Sequence, residues 1–417
     1  LLAGPAYVSP TRYSLYFIGR VLLIRHQVMN RVAIIGVGWY GFRPSTPEVH
    51  FQGMMFESSS RAYADANVDP RRDVDVFVDC QEDMWEGIAI TDEFAPEPIG
   101  GTLRPTFTVP GDGLLGVAHA YMIIRSGLAD VVAVEAHAKP SEIKTLQDIY
   151  YFAFDPLHLR PLDTKNPFFL AGLDAQAFMQ RTGTPRESLA LVSVKNRNQG
   201  LRNERAPYAA KITLDEVLSS GYAVYPMSRY EIANFSDASV TVVLASEEAA
   251  RKFTDRIVWL DGIWFSTETG SGAVEWHEWG RMPSMREAAL GAYKLAGIAD
   301  PSKAFDLAEV EDRFSYMELL ALEETMLAPE GQAHKLLESG YFDYGGTLPV
   351  NPSGGSLAMG VQLEATGLAR LLEAVLQLRG EAGPHQVKGA RRAVVASWRG
   401  VPTYTSMVAV LSSSSEG

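Results

Sequence analysis

Few residues in this chain of 417 combine a reactive type with a setting that suits chemistry. The single cysteine, Cys80, closes an apolar run from Val74 and opens onto an acid-rich loop, Gln81-Glu-Asp83. Neighbouring carboxylates raise a thiol's pKa, so a buried strand-end cysteine is expected there rather than a nucleophile. Asp112 precedes the helical run Leu114 to Ser126, where a carboxylate either works as a base or caps the helix. Gly354, Gly355 and Gly360 sit in the run Val350-Asn-Pro-Ser-Gly-Gly-Ser-Leu-Ala-Met-Gly360. Such glycines permit close backbone approach and left-handed conformations, which suits either a turn feeding a ligand-facing helix N-terminus or a plain helix-entry turn. The histidines show no metal-ligand spacing, and no metal site is expected.

The elements that must position these residues alternate. An apolar run at Val32–Ile35, a helical stretch from Phe51 to Asn67, and strand signals at Val74–Val78, Thr106–Val109 and Ala129–Val134 read as a parallel α/β layer. Prolines and aromatics scattered from His137 to Gly221 read as an inserted loop domain. Strand character resumes at Val240–Leu244, and the second half repeats the plan: strand Ile257–Phe265, helix Arg286–Leu295, strand Leu307–Val310, helix Tyr316–Met326, helix Leu357–Leu378, and closing strands Ala393–Ser397 and Ser406–Leu411. The expected division is an N-terminal extension at 1–28, a first half at 29–136 and 222–250, a loop domain at 137–221, and a second half at 251–417. The balance of 37 Lys+Arg against 50 Asp+Glu, net −13, argues against a surface that tracks nucleic acid or anionic lipid. No membrane span is expected, and the cysteine usage fits a cytoplasmic protein.

With its flanking Glu364-Ala-Thr-Gly367, the glycine-rich run resembles the closing motif of the thiolase superfamily, in the branch of the sterol-carrier-protein thiolases. Further landmarks agree in order: Ile34-Ile-Gly-Val-Gly38, Arg125-Ser-Gly-Leu-Ala-Asp-Val-Val132, Phe235-Ser-Asp-Ala-Ser239 and Ala308-Glu-Val-Glu-Asp-Arg-Phe-Ser315. The resemblance spans residues 31–412. It implies a five-layer αβαβα fold of two duplicated halves with an inserted loop domain, and coenzyme A as the acyl carrier, with Asn351, Gly354, Gly355 and Gly360 as the cofactor-binding loop. It also implies assembly as a homodimer, or as a heterodimer with a thiolase paralogue.

The catalytic pattern departs from that family. Counting back from Arg125-Ser-Gly127, Pro110 stands at the family's nucleophilic cysteine, Glu311 and Val361 stand at its two histidines, and Trp398 stands near its second cysteine. Conventional thiolysis is therefore not expected. Candidate replacements are Glu311, as a base or as a salt-bridged acid beside Arg313; Asp112; and His137, after the strand that in the family runs near the catalytic loop. Tyr316 and Tyr404 are possible phenolic donors or packed aromatics. Two functions compete. One is an acyl-CoA enzyme acting on a carbon–carbon bond without a cysteine, such as retro-aldol cleavage of a β-hydroxyacyl-CoA, which the resemblance associates with a small zinc-ribbon and OB-fold partner. The other is a catalytically silent subunit paired with an active thiolase paralogue. The aromatics Tyr150, Tyr151, Phe152, Phe154, Phe168 and Phe169 belong either to an acyl pocket or to the loop-domain core.

Overall fold

Side chains alternate across a strand, so each apolar run must feed two cores at once. In the computed structural model, which describes residues 31–82, 93–153, 168–270, 277–400 and 403–413, this is what separates the layers. Strand β1 (Val32–Arg43) sends Ile34 to one core and Ala33 and Ile35 to another. Helix α1 (Phe51–Ala66) packs on the second of these faces. β2 (Val76–Cys80) and β3 (Thr106–Val109) lead into helix α2 (Gly113–Arg125), and β4 (Val131–Ala138) is buried along its whole length.

Between β4 and the next long strand the chain leaves the sheet. This excursion carries helix α3 (Phe168–Thr182), a helix at Arg186–Gly200, and a small hairpin of β5 (Tyr222–Val224) and β6 (Met227–Ser228). β7 (Asp237–Ser246) returns to the sheet and β8 (Val258–Gly270) follows. The second half then places helix α4 (Pro283–Ala296), β9 (Leu307–Glu309), helix α5 (Ser315–Glu324), the short helix α6 (Gly355–Met359), helix α7 (Thr366–Arg379), β10 (Arg392–Trp398) and β11 (Thr403–Ser412).

The sheet order is β3-β2-β4-β7-β1-β8-β11-β10-β9. In the first half β2 runs parallel to β3 and β4, while β7 is antiparallel to β4 and β1. The second half repeats this arrangement. β11 is antiparallel to β8 and β10, β9 is parallel to β10, and a parallel bridge from Ala308 to Val350 stands where the β2–β3 pairing stands in the first half. The halves join through β1 and β8, from Val32↔Leu260 to Ile34↔Val258. The repeated strand order is the duplication expected from the order of elements.

Three cores fill the spaces. The central one packs α2 and α7 against the inward faces of both half-sheets, with Leu114, Val117, Leu368 and Leu371 meeting Val134, Val242 and Val395. Each such side chain contributes about 1.5–3 kcal/mol of burial, which makes these two helices the firmest supports in the molecule. The outer cores lie under α1 on one side and under α4 and α5 on the other. Helix, sheet, helix, sheet, helix is the five-layer order.

One expectation is corrected. The helix read over Leu357–Leu378 is two helices, α6 and α7, because Gly360 takes φ +89° and Val361 pairs in extended form with Phe235. That break brings Val361, Leu363 and Glu364 to the surface of a cavity.

Candidate active site

The two central helices start at the same place, and one carboxylate joins them. Asp112 caps α2 by accepting the Leu114 N–H at Oδ1 (2.9 Å). Its Oδ2 accepts the Gly367 N–H in the first turn of α7 (3.0 Å) and the Ser397 hydroxyl of β10 (2.9 Å). Burial pushes this carboxyl up to about 6, although the backbone and hydroxyl donors oppose the rise. Of the two readings of Asp112, the geometry displays the cap.

Beside this junction lies a cavity of about 110 Å³. Gly111 and Asp112 border it from the head of α2, Val361 and Glu364 from the break between α6 and α7, and Trp398 and Tyr404 from the closing hairpin. Val361 and Trp398, which the sequence reading sets at or near catalytic positions of the family it resembles, stand on its wall. Pro110 is exposed at the end of β3. The remaining wall is largely apolar, with Leu170, Ile232, Phe235, Phe314 and Met317 among its side chains.

Glu311 does not reach this cavity. Its Oε1 accepts the Arg313 backbone N–H and Nε (both 3.0 Å), and its Oε2 accepts from Arg370 (2.9 Å) and from the Trp398 N–H (3.3 Å). Burial raises its pKa, but the two guanidiniums and these donors outweigh burial and hold it at about 2. So engaged, the carboxylate displays the ion pairs of the salt-bridged alternative in the sequence reading. His137 is also displaced from the expected place. On β4 it shares the outward face with Val131 and Ala133 and stacks on Phe51 of α1 (5.4 Å between centroids), on the far side of the sheet from the cavity.

The glycine-rich loop is packed rather than presented. Asn351 is fully buried; its Oδ1 accepts the Val310 N–H (2.8 Å) and its Nδ2 donates to Glu318 (2.7 Å). Gly355, at φ +57°, leaves no room for a Cβ, which would sit 2.1 Å from Asp312 Oδ2. Asp312 in turn accepts the Ser356 and Leu357 N–H groups at 2.7 and 3.2 Å. Neither these residues nor Gly354 and Gly360 line the cavity. Cys80 is equally enclosed, with Sγ against the first turn of α2 near Gly113 and Gly116; burial and then the nearby carboxylates push its thiol up. Among the described residues no thiol lines the cavity.

The titratable groups that do converge on the cavity come from elements far apart in sequence. Asp174 of α3 accepts the Tyr316 hydroxyl at Oδ2 (2.9 Å) and the Gly280 N–H at Oδ1 (2.6 Å), and the same Oδ1 lies 3.4 Å from His277 Nε2. Among the described residues His277 Nδ1 has no hydrogen-bond partner. Tyr404 stacks on the His277 ring (5.0 Å) and on Trp398 (5.4 Å). Burial, followed by the charge of Asp174, pushes both the Tyr316 and the Tyr404 phenols up, so they stay protonated donors. Glu268 of β8 accepts the Ser284 N–H (2.8 Å), and burial raises its carboxyl. Tyr316 and Tyr404 were candidates from the sequence. Asp174, Glu268 and His277 were not, since no motif links them and their one signal was the aromatic setting Trp276-His-Glu-Trp279.

Phe168 lines the cavity, whereas Tyr151 and Phe169 pack with Leu170 and Trp279 in a small satellite core. Phe154 lies outside the described residues, as does Asp83 of the acid-rich loop; Glu82, just before it, borders the cavity and pairs with Arg399. No described helix is long and apolar enough to cross a membrane.

Comparison with known proteins agrees with this architecture. Residues 267–413 match the family model described as thiolase C-terminal domain-like. An acetyl-CoA acetyltransferase of Methanothermobacter thermautotrophicus is 32% identical over 372 residues, covering 87% of this chain and 94% of that protein. Sterol carrier protein 2 of Gallus gallus is 29% identical over 388 residues, 88% of this chain and 69% of that protein. Among solved structures, the Ltp2-ChsH2(DUF35) aldolase superposes with a TM-score of 0.77 at 24% identity, covering 92% of this chain and 98% of that one. With the duplicated five-layer fold, these similarities show that the chain belongs to the thiolase family, among the acetyl-CoA acetyltransferases and sterol-carrier-protein thiolases.

Proposed function

We propose that this protein cleaves the carbon–carbon bond of a β-hydroxyacyl-CoA by a retro-aldol route, with His277 as the base. The observation that carries the reading is a histidine–carboxylate pair on the wall of a cavity that holds no described thiol. Asp174 orients the imidazole through Nε2, and Tyr316 and the Gly280 N–H hold Asp174 in place. Nδ1 is then the atom that accepts the β-hydroxyl proton. The oxygen's electron pair forms the new carbonyl, the bond between the α and β carbons breaks, and its pair becomes the thioester enolate. The imidazolium returns its proton to the α carbon, which yields an acyl-CoA and a ketone or aldehyde without free CoA. The protonated phenol of Tyr404, on the wall of the same cavity, supplies the donor that an enolate oxygen requires.

A partner belongs to the proposal. The Ltp2-ChsH2(DUF35) aldolase, which shares this fold, supports a second polypeptide, for which the family resemblance implies a small zinc-ribbon and OB-fold protein, alongside pairing of two thiolase-like chains. The test is His277→Gln in the complex purified with its native partners, assayed for CoA-independent cleavage of β-hydroxyacyl-CoA substrates. The expected result is a loss of about 10²–10⁴ in kcat with the unfolding midpoint unchanged. Turnover within a few-fold of the parent would remove His277 from the chemistry. No turnover by the parent, together with an active thiolase paralogue co-purifying in equal amount, would replace this reading with the silent subunit.

A further inference from the structure

We propose that Asp79, Glu135 and His137 form a binding site for one divalent transition-metal ion, zinc in the first instance, which ties β2 to β4 beneath α1. Asp79 and Glu135 are direct partners in the parallel β2–β4 ladder, and His137 follows two residues on, so all three project from the same face of the sheet. Exposure is 0% for Asp79, 1% for Glu135 and 0% for His137. One donor atom from each lies within 4.8 Å of the other two. Some point therefore lies within about 2.8 Å of all three atoms, so bonds of about 2.1 Å require a donor to draw in by at most about 0.7 Å. One pair already has the spacing of neighbouring ligands: His137 Nδ1 and Glu135 Oε2 are 3.2 Å apart, against about 3.3 Å on a tetrahedral zinc ion.

A second observation points to a ligand. Asp79 Oδ1 is fully buried and has no hydrogen-bond partner among the described residues, whereas Oδ2 accepts from Thr108 (3.3 Å). A carboxylate oxygen left without a donor in an apolar layer requires a cation or a proton. Two carboxylates and a neutral imidazole around a divalent ion make a neutral unit. Behind the ligands, Ser239 donates to Glu135 Oε1 (2.6 Å), as outer partners of ligating carboxylates do, and Phe51 stacks on the His137 ring at an interplanar angle of 7°. None of the three residues lines the cavity, so the site stands whether or not the retro-aldol reading does.

Because the ligands are enclosed, the ion enters during folding and stays until unfolding. The experiment purifies the full chain with its native partners in zinc-supplemented medium, desalts it through chelating buffer, and counts metal by plasma mass spectrometry and by a zinc-chelating dye before and after denaturation. The expected result is one equivalent per thiolase-like chain beyond the partner's own zinc, released only on unfolding, and less than a tenth of an equivalent in Asp79→Asn. Where Asp79→Asn does not fold, the parent decides: chain refolded in chelator alone should unfold several degrees lower than chain refolded with zinc. A metal-free parent, an equal metal content in folded Asp79→Asn, or identical midpoints after the two refolding conditions would overturn the proposal and leave a shared proton as the compensating charge.

Discussion

Replacing Glu311 by Gln separates a structural anion from a catalytic base. The side chain is completely buried, and its carboxylate lies between Arg313 and Arg370, the latter itself 3% exposed. Its pKa of about 2, against 4.5 for an ordinary glutamate, corresponds to about 3 kcal/mol of preferential stabilisation of the ionised form in the fold. The amide keeps the shape and loses that stabilisation, and it leaves Arg370 with Asp312 as its remaining ion-pair partner. A cost of about 3–5 kcal/mol is expected at pH 7, in the range for breaking a buried pair. For a chain of 417 residues this lowers the unfolding midpoint by about 3–6 °C. The group's folded pKa lies below its unfolded one, so the stabilisation is full above about pH 4.5 and is lost as pH falls through about 2. Urea unfolding of parent and variant at pH 7 and at the lowest pH where both fold should therefore show a gap that narrows with acid. CoA-thioester cleavage per folded molecule should stay within a few-fold of the parent. Loss of turnover with unchanged stability would refute this reasoning and restore Glu311 as the base.

Two other perturbations have definite expectations. Cys80→Ala should leave turnover intact, and thiol-modifying reagents should fail to inactivate the native parent, because the sulfur is buried against Gly113 and Gly116; rapid inactivation through Cys80 would contradict this. Burial, then the charge of Glu373, raises Glu309 to about 8, so its neutral form's stabilisation is full below about pH 4.5 and is lost as pH rises through about 8. Across that window stability should fall by about 1.4 kcal/mol per pH unit from this group, and Glu309→Gln should flatten the fall in a pH series of chemical unfolding. An identical slope in parent and variant would remove Glu309 as the source.

The fold was legible where local chemistry repeats. Alternating apolar runs and their order specify the two halves, and the β7 and β8 positions followed from runs at Val240–Leu244 and Ile257–Phe265. The break between α6 and α7 was not legible, since apolar periodicity continues through Gly360 and only the pairing of Val361 with Phe235 fixes the extended segment. Candidates named from the sequence divided in the same way. Asp112 was weighed as base or cap, and its place before a helical run already contained the cap; that it also holds the first turn of α7 required two helices to meet.

What the sequence by itself determined is the family and the duplicated layered architecture, because these reside in residue types at fixed spacings along one strand or helix. Only the tertiary structure decided which acids are chemically free. Glu311 and Asp312 are neighbours in sequence, yet Arg370, 59 and 58 residues away, is the cation that holds both. Asp174 and His277, 103 residues apart, become a pair because α3 and the segment after β8 face one cavity. Asp79 and Glu135 become one charge cluster because parallel strands set them side by side. Electrostatic fate depends on distance through space and on exclusion of water, and neither is encoded in the spacing of residues along the chain.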